Sequence, residues 1–107
     1  MSYTETCRAA IRKYWPAPLW EQAYTVLDHE NGKENPRATL HNANGSYDRG
    51  CMQVNSIHLG AYGWTNVDDI YNPDTNARVA YGIYQARKVA QGNGWRAWYS
   101  VQGLFWK

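Results

Sequence analysis

Phenylalanine occurs once in this chain and cysteine only twice. Two cysteines are too few for a disulfide-dense miniature scaffold. Cys7 and Cys51 lie 44 positions apart with no histidine at ligand spacing, which argues against a zinc site. Buried free thiols are the simpler expectation, and a single bridge requires the first helix to pack on the Cys51 segment. No apolar run approaches the roughly 20 residues that a membrane-spanning helix needs. Lysine and arginine are scattered, so the basic stripe that a nucleic-acid partner would ask for is missing. Met1-Ser2-Tyr3-Thr4-Glu5-Thr6 lacks the basic start and apolar core of a secretory signal. The expectation is a chain made in a cytoplasm, or a piece cut from a larger protein. There is no internal repeat and no low-complexity stretch.

What remains is 107 residues, enough for one domain with one modest core, and a net charge of only +2. Six tryptophans and nine tyrosines supply almost all the aromatic content. Such side chains pair a flat apolar face with a polar tip and serve both cores and wet clefts. Most of the indoles are expected in the core, with one to three lining a ligand site.

Thr4 or Thr6 is a candidate cap for a first helix to about Tyr14, with Cys7, Ala10, Ile11 and Tyr14 on one stripe. Trp15-Pro16-Ala17-Pro18 ends it. A second helix spans about Pro18 to His29 or Glu30. Its inward positions are Leu19 or Trp20, Ala23, Val26 and Leu27, and the same spacing carries Glu30 onto the apolar face. Gly32 is the expected stop. Burial and the negative helix end both disfavour a charged Glu30, as a general acid near neutral pH requires. A salt-bridged or exposed helix-end glutamate is the plainer alternative. Glu34, in a polar loop without an apolar shell, is a poor candidate for the acid.

Residues 31–46 read as loop, with turn signals at Asn35-Pro36 and Asn44-Gly45. Ser46 to Asn55 is expected to form one or two short strands, Met52 and Val54 on one face and Gln53 and Asn55 on the other. Amides facing one way suit the hydroxyl and N-acetyl groups of a sugar. Residues 57–71 suggest short helical turns. Asn72 as cap and Pro73 at the first position open a long helix to about Gln91, with Val79, Ile83, Ala86 and Ala90 inward and Gly92-Asn93-Gly94 closing it. Trp95 and Trp98 fall on one side of a following turn, and residues 101–107 are expected to pack down as an aromatic tail. His41 and His58 read as surface or packing residues. The fold class expected is α+β, mostly helical, as a single domain over residues 1–107.

Two acids on different elements facing one gap are the minimum for glycosidic cleavage. Glu30, Asn35-Pro36-Arg37-Ala38 and Asn44-Gly45-Ser46-Tyr47-Asp48-Arg49-Gly50-Cys51-Met52-Gln53-Val54-Asn55-Ser56 together resemble the active-site segment of the lysozyme superfamily. Both the chicken-type enzymes and the small lysozyme-like or lytic-transglycosylase domains of phages and actinobacteria are similar. Asn72-Pro73-Asp74-Thr75-Asn76 and Gly94-Trp95-Arg96-Ala97-Trp98 resemble later parts of the same group, so the likeness covers about Leu19 to Tyr99. It implies a lysozyme-like fold with a small hairpin or sheet beside the catalytic helix. It also implies Glu30 as general acid and base, and Asp48 as nucleophile or stabiliser of the sugar cation. Gln53 and Asn55 would bind sugar, Trp98 would keep Glu30 dry, and the Ala97 backbone would meet an N-acetyl group. Tyr47 and Trp64 are candidate sugar platforms, with a structural role the alternative for each. Asp48 has a second reading too, as the residue that caps the hairpin turn.

The implied activity is that of a peptidoglycan muramidase, cleaving between N-acetylmuramic acid and N-acetylglucosamine without metal or cofactor. Its expected partner is the wall glycan strand, with no nucleic acid and no membrane insertion, as a monomer. A phage lysis or tail enzyme acting on the cell wall, or an excised domain, fits the size. A lytic transglycosylase and a non-catalytic glycan-binding module are the alternatives. The sequence departs from the animal enzymes in lacking their four disulfides, in His29 before the glutamate, and in Cys51 where an aliphatic residue is usual.

Overall fold

The computed structural model describes residues 6–107; Thr4, one of the two candidate caps, lies outside them. Helix α1 spans Thr6–Tyr14 and α2 spans Trp20–Glu30, with a single 3-10 turn at Ala17–Leu19 between them. Three short antiparallel strands follow, β1 Thr39–His41, β2 Tyr47–Arg49 and β3 Val54–Asn55, in spatial order β1-β2-β3. Further 3-10 turns at Ser56–His58 and Val67–Tyr71 lead to α3, Pro73–Gln91. Two more, Gly94–Ala97 and Tyr99–Val101, precede the tail. The architecture is a compact α+β domain, mostly helical with one small sheet. No helix among the described residues is long and apolar enough to cross a membrane.

Local chemistry accounts for the helix ends. The Asn72 side chain accepts from the backbone of Asp74 and Thr75, Pro73 occupies the first helical position, and Gly92 closes α3 in the left-handed region at φ 78°. Helix α2 ends at Glu30, within the expected bounds. Asn31, not Gly32, is its C-cap, with its backbone N–H on the Leu27 carbonyl. The Asn31 side chain then bonds both ways with the Asn35 backbone and donates toward the carbonyls of Gly50 and Cys51, tying the helix end to the sheet.

Cys7, Ala10 and Ile11 of α1, Ala23, Val26 and Leu27 of α2, and Val79, Ala80 and Ile83 of α3 meet in one core. Trp15 sits at its centre, stacked on Trp95 with ring centroids 5.4 Å apart and tilted against Tyr81, Tyr84 and Trp98. Each of the six indoles donates its N–H to an acceptor; Trp15, for example, donates to the Ala77 carbonyl at 2.9 Å. The tail packs down as expected, with Phe105 against Trp95 and the Trp106 N–H on the Trp98 carbonyl. Gly94 admits the Tyr84 ring, because a Cβ there would stand 2.2 Å from it.

Several expectations are corrected. Tyr14, Ala86 and Ala90 are exposed and do not belong to the inward stripes of α1 and α3. Residues 46–55 supply two short strands, as expected, but not the continuous alternation expected over residues 52–55. A turn intervenes at Gly50–Gln53 with Gln53 at φ 53°, and the first strand forms earlier, at Thr39–His41. Glu34 is buried, clamped by the Arg8 guanidinium and accepting the Arg8 backbone N–H. Cys7 and Cys51 are not free thiols. They form a disulfide with Cα atoms 5.5 Å apart, because α1 packs directly on the turn after β2.

Asn76 locks α3 to that same turn. It is fully buried, accepts the Met52 N–H at 2.8 Å, and donates to the carbonyls of Arg49 and Ile70 at 3.0 Å each. Gly50, at φ 79°, is what lets it approach: a Cβ there would lie 2.3 Å from the Asn76 amide nitrogen. Truncation to Ala strands one donor and two acceptors in a dry interior. Asn76→Ala is therefore expected to cost about 2–4 kcal/mol, read as a lowered midpoint in urea unfolding.

Candidate active site

An open cleft of about 650 Å³ runs between the sheet and α3. Glu30 reaches it as the last residue of α2, and Asp48 reaches it from the middle of β2. Asn42, Asn44, Ser46 and Asn55 line it from the sheet and its connections, His58 from the turn after β3, and Ile83 and Arg87 from α3. The segment Ala97 to Ser100 completes the rim.

Glu30 is held above the ordinary glutamate pKa. Burial is the largest cause, and the Asp48 charge adds to it; the Ser100 hydroxyl and His29 act in the opposite direction. The Ser100 hydroxyl is buried and makes no hydrogen bond of normal geometry. It is near enough to the Glu30 carboxyl to influence its titration but is not locked onto it. A carboxyl that keeps its proton toward neutral pH can donate it to an oxygen brought into the cleft.

Asp48 is placed by sheet register. It pairs with Asn55 across β2 and β3, and the Asn55 amide donates to the Asp48 carboxylate at 2.8 Å. Asn55 also donates to the Ser46 hydroxyl and accepts the Ile57 N–H. Its amide therefore holds the second acid in place and caps the next turn, while its side chain still faces the cleft. Gln53 lines the cleft too, but its amide nitrogen donates to the carbonyls of Ala38 and Gly50, leaving the amide oxygen as the group it can offer. Trp98 lines the same cleft as Glu30 and is buried, fixed by its N–H on the Met52 carbonyl at 2.9 Å, with Ala97 next to it in the lining.

Two expected platforms are elsewhere. Trp64 is 1% exposed and belongs to the core, with its N–H on the Asn66 carbonyl. Tyr47 precedes Asp48 in β2, and successive strand residues face opposite sides. Its ring stacks on His41 at 4.4 Å and lies under Arg49, away from the cleft. Tyr99, 79% exposed on the rim, is the aromatic side chain that the cleft presents to solvent.

Tyr99, Ser100, His58 and Arg87 were not anticipated as cleft residues. Arg87 had a signal, since it follows inward Ile83 by one turn of α3. Ser100 had none, because the 3-10 turn that carries it obeys no hydrophobic period. Among the described residues no group of three or more His, Cys, Asp or Glu could hold a metal ion. Comparison with protein-family models, with curated proteins and with solved structures finds no match to this chain.

Proposed function

We propose that this chain is a peptidoglycan glycosidase with a lysozyme-like fold, hydrolysing the β-1,4 bond between N-acetylmuramic acid and N-acetylglucosamine. One observation carries the proposal: Glu30, with its pKa raised by burial, shares a cleft with the carboxylate of Asp48. Glu30 gives its proton to the glycosidic oxygen as the bond to the anomeric carbon breaks. Asp48 stabilises the sugar cation or bonds to it, and Glu30 then takes a proton from the incoming water. Trp98 supplies the apolar wall that favours the protonated acid, and Tyr99 offers a flat face for a sugar ring at the rim. The Cys7–Cys51 bridge suits an enzyme whose substrate lies outside the reducing cytoplasm.

A second reading is favoured by the bond from Asn55 to Asp48, which gives that acid a structural task in the sheet. A lytic transglycosylase needs only the general acid, with the sugar's own hydroxyl closing on the anomeric carbon. Mass spectrometry of digested peptidoglycan tests both readings. Hydrolysis is expected, giving reducing muramic acid ends. Ends one water lighter would mark the transglycosylase, and undigested wall would overturn both.

A further inference from the structure

Besides its two acids, the cleft contains one arginine and no lysine. Arg87 follows Ile83 by one turn, so both side chains face the cleft from the same stripe of α3. Other arginines are committed elsewhere: Arg8 to Glu34 and Asp28, Arg78 to the Tyr62 carbonyl, and Arg37, Arg49 and Arg96 to aromatic faces. Arg87 makes a hydrogen bond to Gln91 within its own helix, at 3.1 Å. The ion pairs found among the described residues belong to Arg8 and Lys13, not to Arg87. Most of its five donors therefore remain for a ligand. His58 lines the same cleft from the turn after β3, and burial together with the Arg87 charge holds its pKa below the usual histidine value, so the imidazole is a neutral neighbour near neutral pH.

A neutral glycan offers such a cation only hydroxyl and amide oxygens, with no charge to pair. An anionic glycan, by contrast, would be repelled by the Asp48 carboxylate unless a positive charge in the same cleft met it. We propose that Arg87 recognises a carboxylate on the glycan, the acid of a lactyl ether or of a peptide attached to it, so that the cleft selects acidic over neutral amino-sugar polymers. The guanidinium fork matches a carboxylate in two parallel hydrogen bonds, which a lysine could not reproduce. The substrate class follows from the glycosidase reading; the carboxylate selectivity follows from Arg87.

The test is calorimetric binding of a short muramyl glycan in two forms, with free carboxylates and with those groups converted to methyl amides. The wild-type protein is expected to bind the acid about three- to tenfold more tightly than the amide. Arg87→Gln is expected to bind both forms equally, and Arg87→Lys to recover part of the preference; circular dichroism verifies that each variant is folded. A preference that survives Arg87→Gln overturns the proposal, as does a wild-type protein with no preference or with no affinity for either form. Product formation is scored separately on the wild-type protein. Acid preference without cleavage keeps Arg87's role and removes the glycosidase reading; cleavage without acid preference does the reverse.

Discussion

Glu30→Gln is expected to reduce the clearing of a peptidoglycan suspension by about 10²- to 10⁴-fold, the usual loss when a positioned general acid is removed. The amide keeps the shape of the side chain and its place in the cleft but has no acidic proton to give. The same substitution is expected to stabilise the fold at pH 7, which separates chemistry from folding. The native pKa of Glu30 is raised, mainly by burial. A raised carboxyl pKa means that the folded state binds the proton more tightly than the unfolded chain does. Protonated Glu30 thus favours the fold at low pH, and that contribution is lost as pH rises through the native pKa. The variant carries no such penalty, so its advantage in melting temperature should be present at neutral pH and close as pH falls below the ordinary glutamate value of about 4.3. Wild-type activity should fall over the window in which Glu30 loses its proton. A variant that clears wall at the wild-type rate would remove Glu30 from the mechanism.

Replacing both Cys7 and Cys51 by Ser is expected to lower the melting temperature by about 15–20 °C. The bridge closes a 44-residue loop. On chain-entropy grounds a loop of that length destabilises the unfolded state by about 4 kcal/mol, and a domain of this size loses roughly 4–5 °C per kcal/mol. The loss acts mostly through the unfolded chain, so wall-clearing at low temperature should survive in the double variant and fail earlier on warming. Thermal melts followed by circular dichroism, with clearing assays alongside, measure both effects. An unchanged melting temperature would mean that the packing of α1 on the sheet turn stands without the bridge.

The two substitutions differ in what each residue answers to. Helix α2 and its terminal acid were legible because apolar positions every three or four residues define a face, and Glu30 continues that face. The cap at Asn72, Pro73 behind it and the left-handed Gly92 were equally legible, since a helix end is satisfied by residues within a turn of it. The Asn44-Gly45 turn followed from turn chemistry, whereas Asp48 as a site residue rested on the family resemblance, and β1 had no signal: three exposed residues have no burial pattern to betray them.

The tertiary structure alone decided which of these local pieces face one another. Trp64 and Tyr47 have the composition of sugar platforms, yet one fills the core and the other stacks on His41 behind the hairpin. Arg87 came to the cleft on α3 and Tyr99 on the second turn after it, Tyr99–Val101, which packs on α2. Glu34 is buried because α1 brings Arg8 across 26 positions of chain, and Cys7 meets Cys51 for the same reason. Periodicity and caps arise from bonds between near neighbours and can be read along the chain. Burial, pairing and the walls of a cleft depend on which distant surfaces pack together, and no local pattern in this chain specifies that.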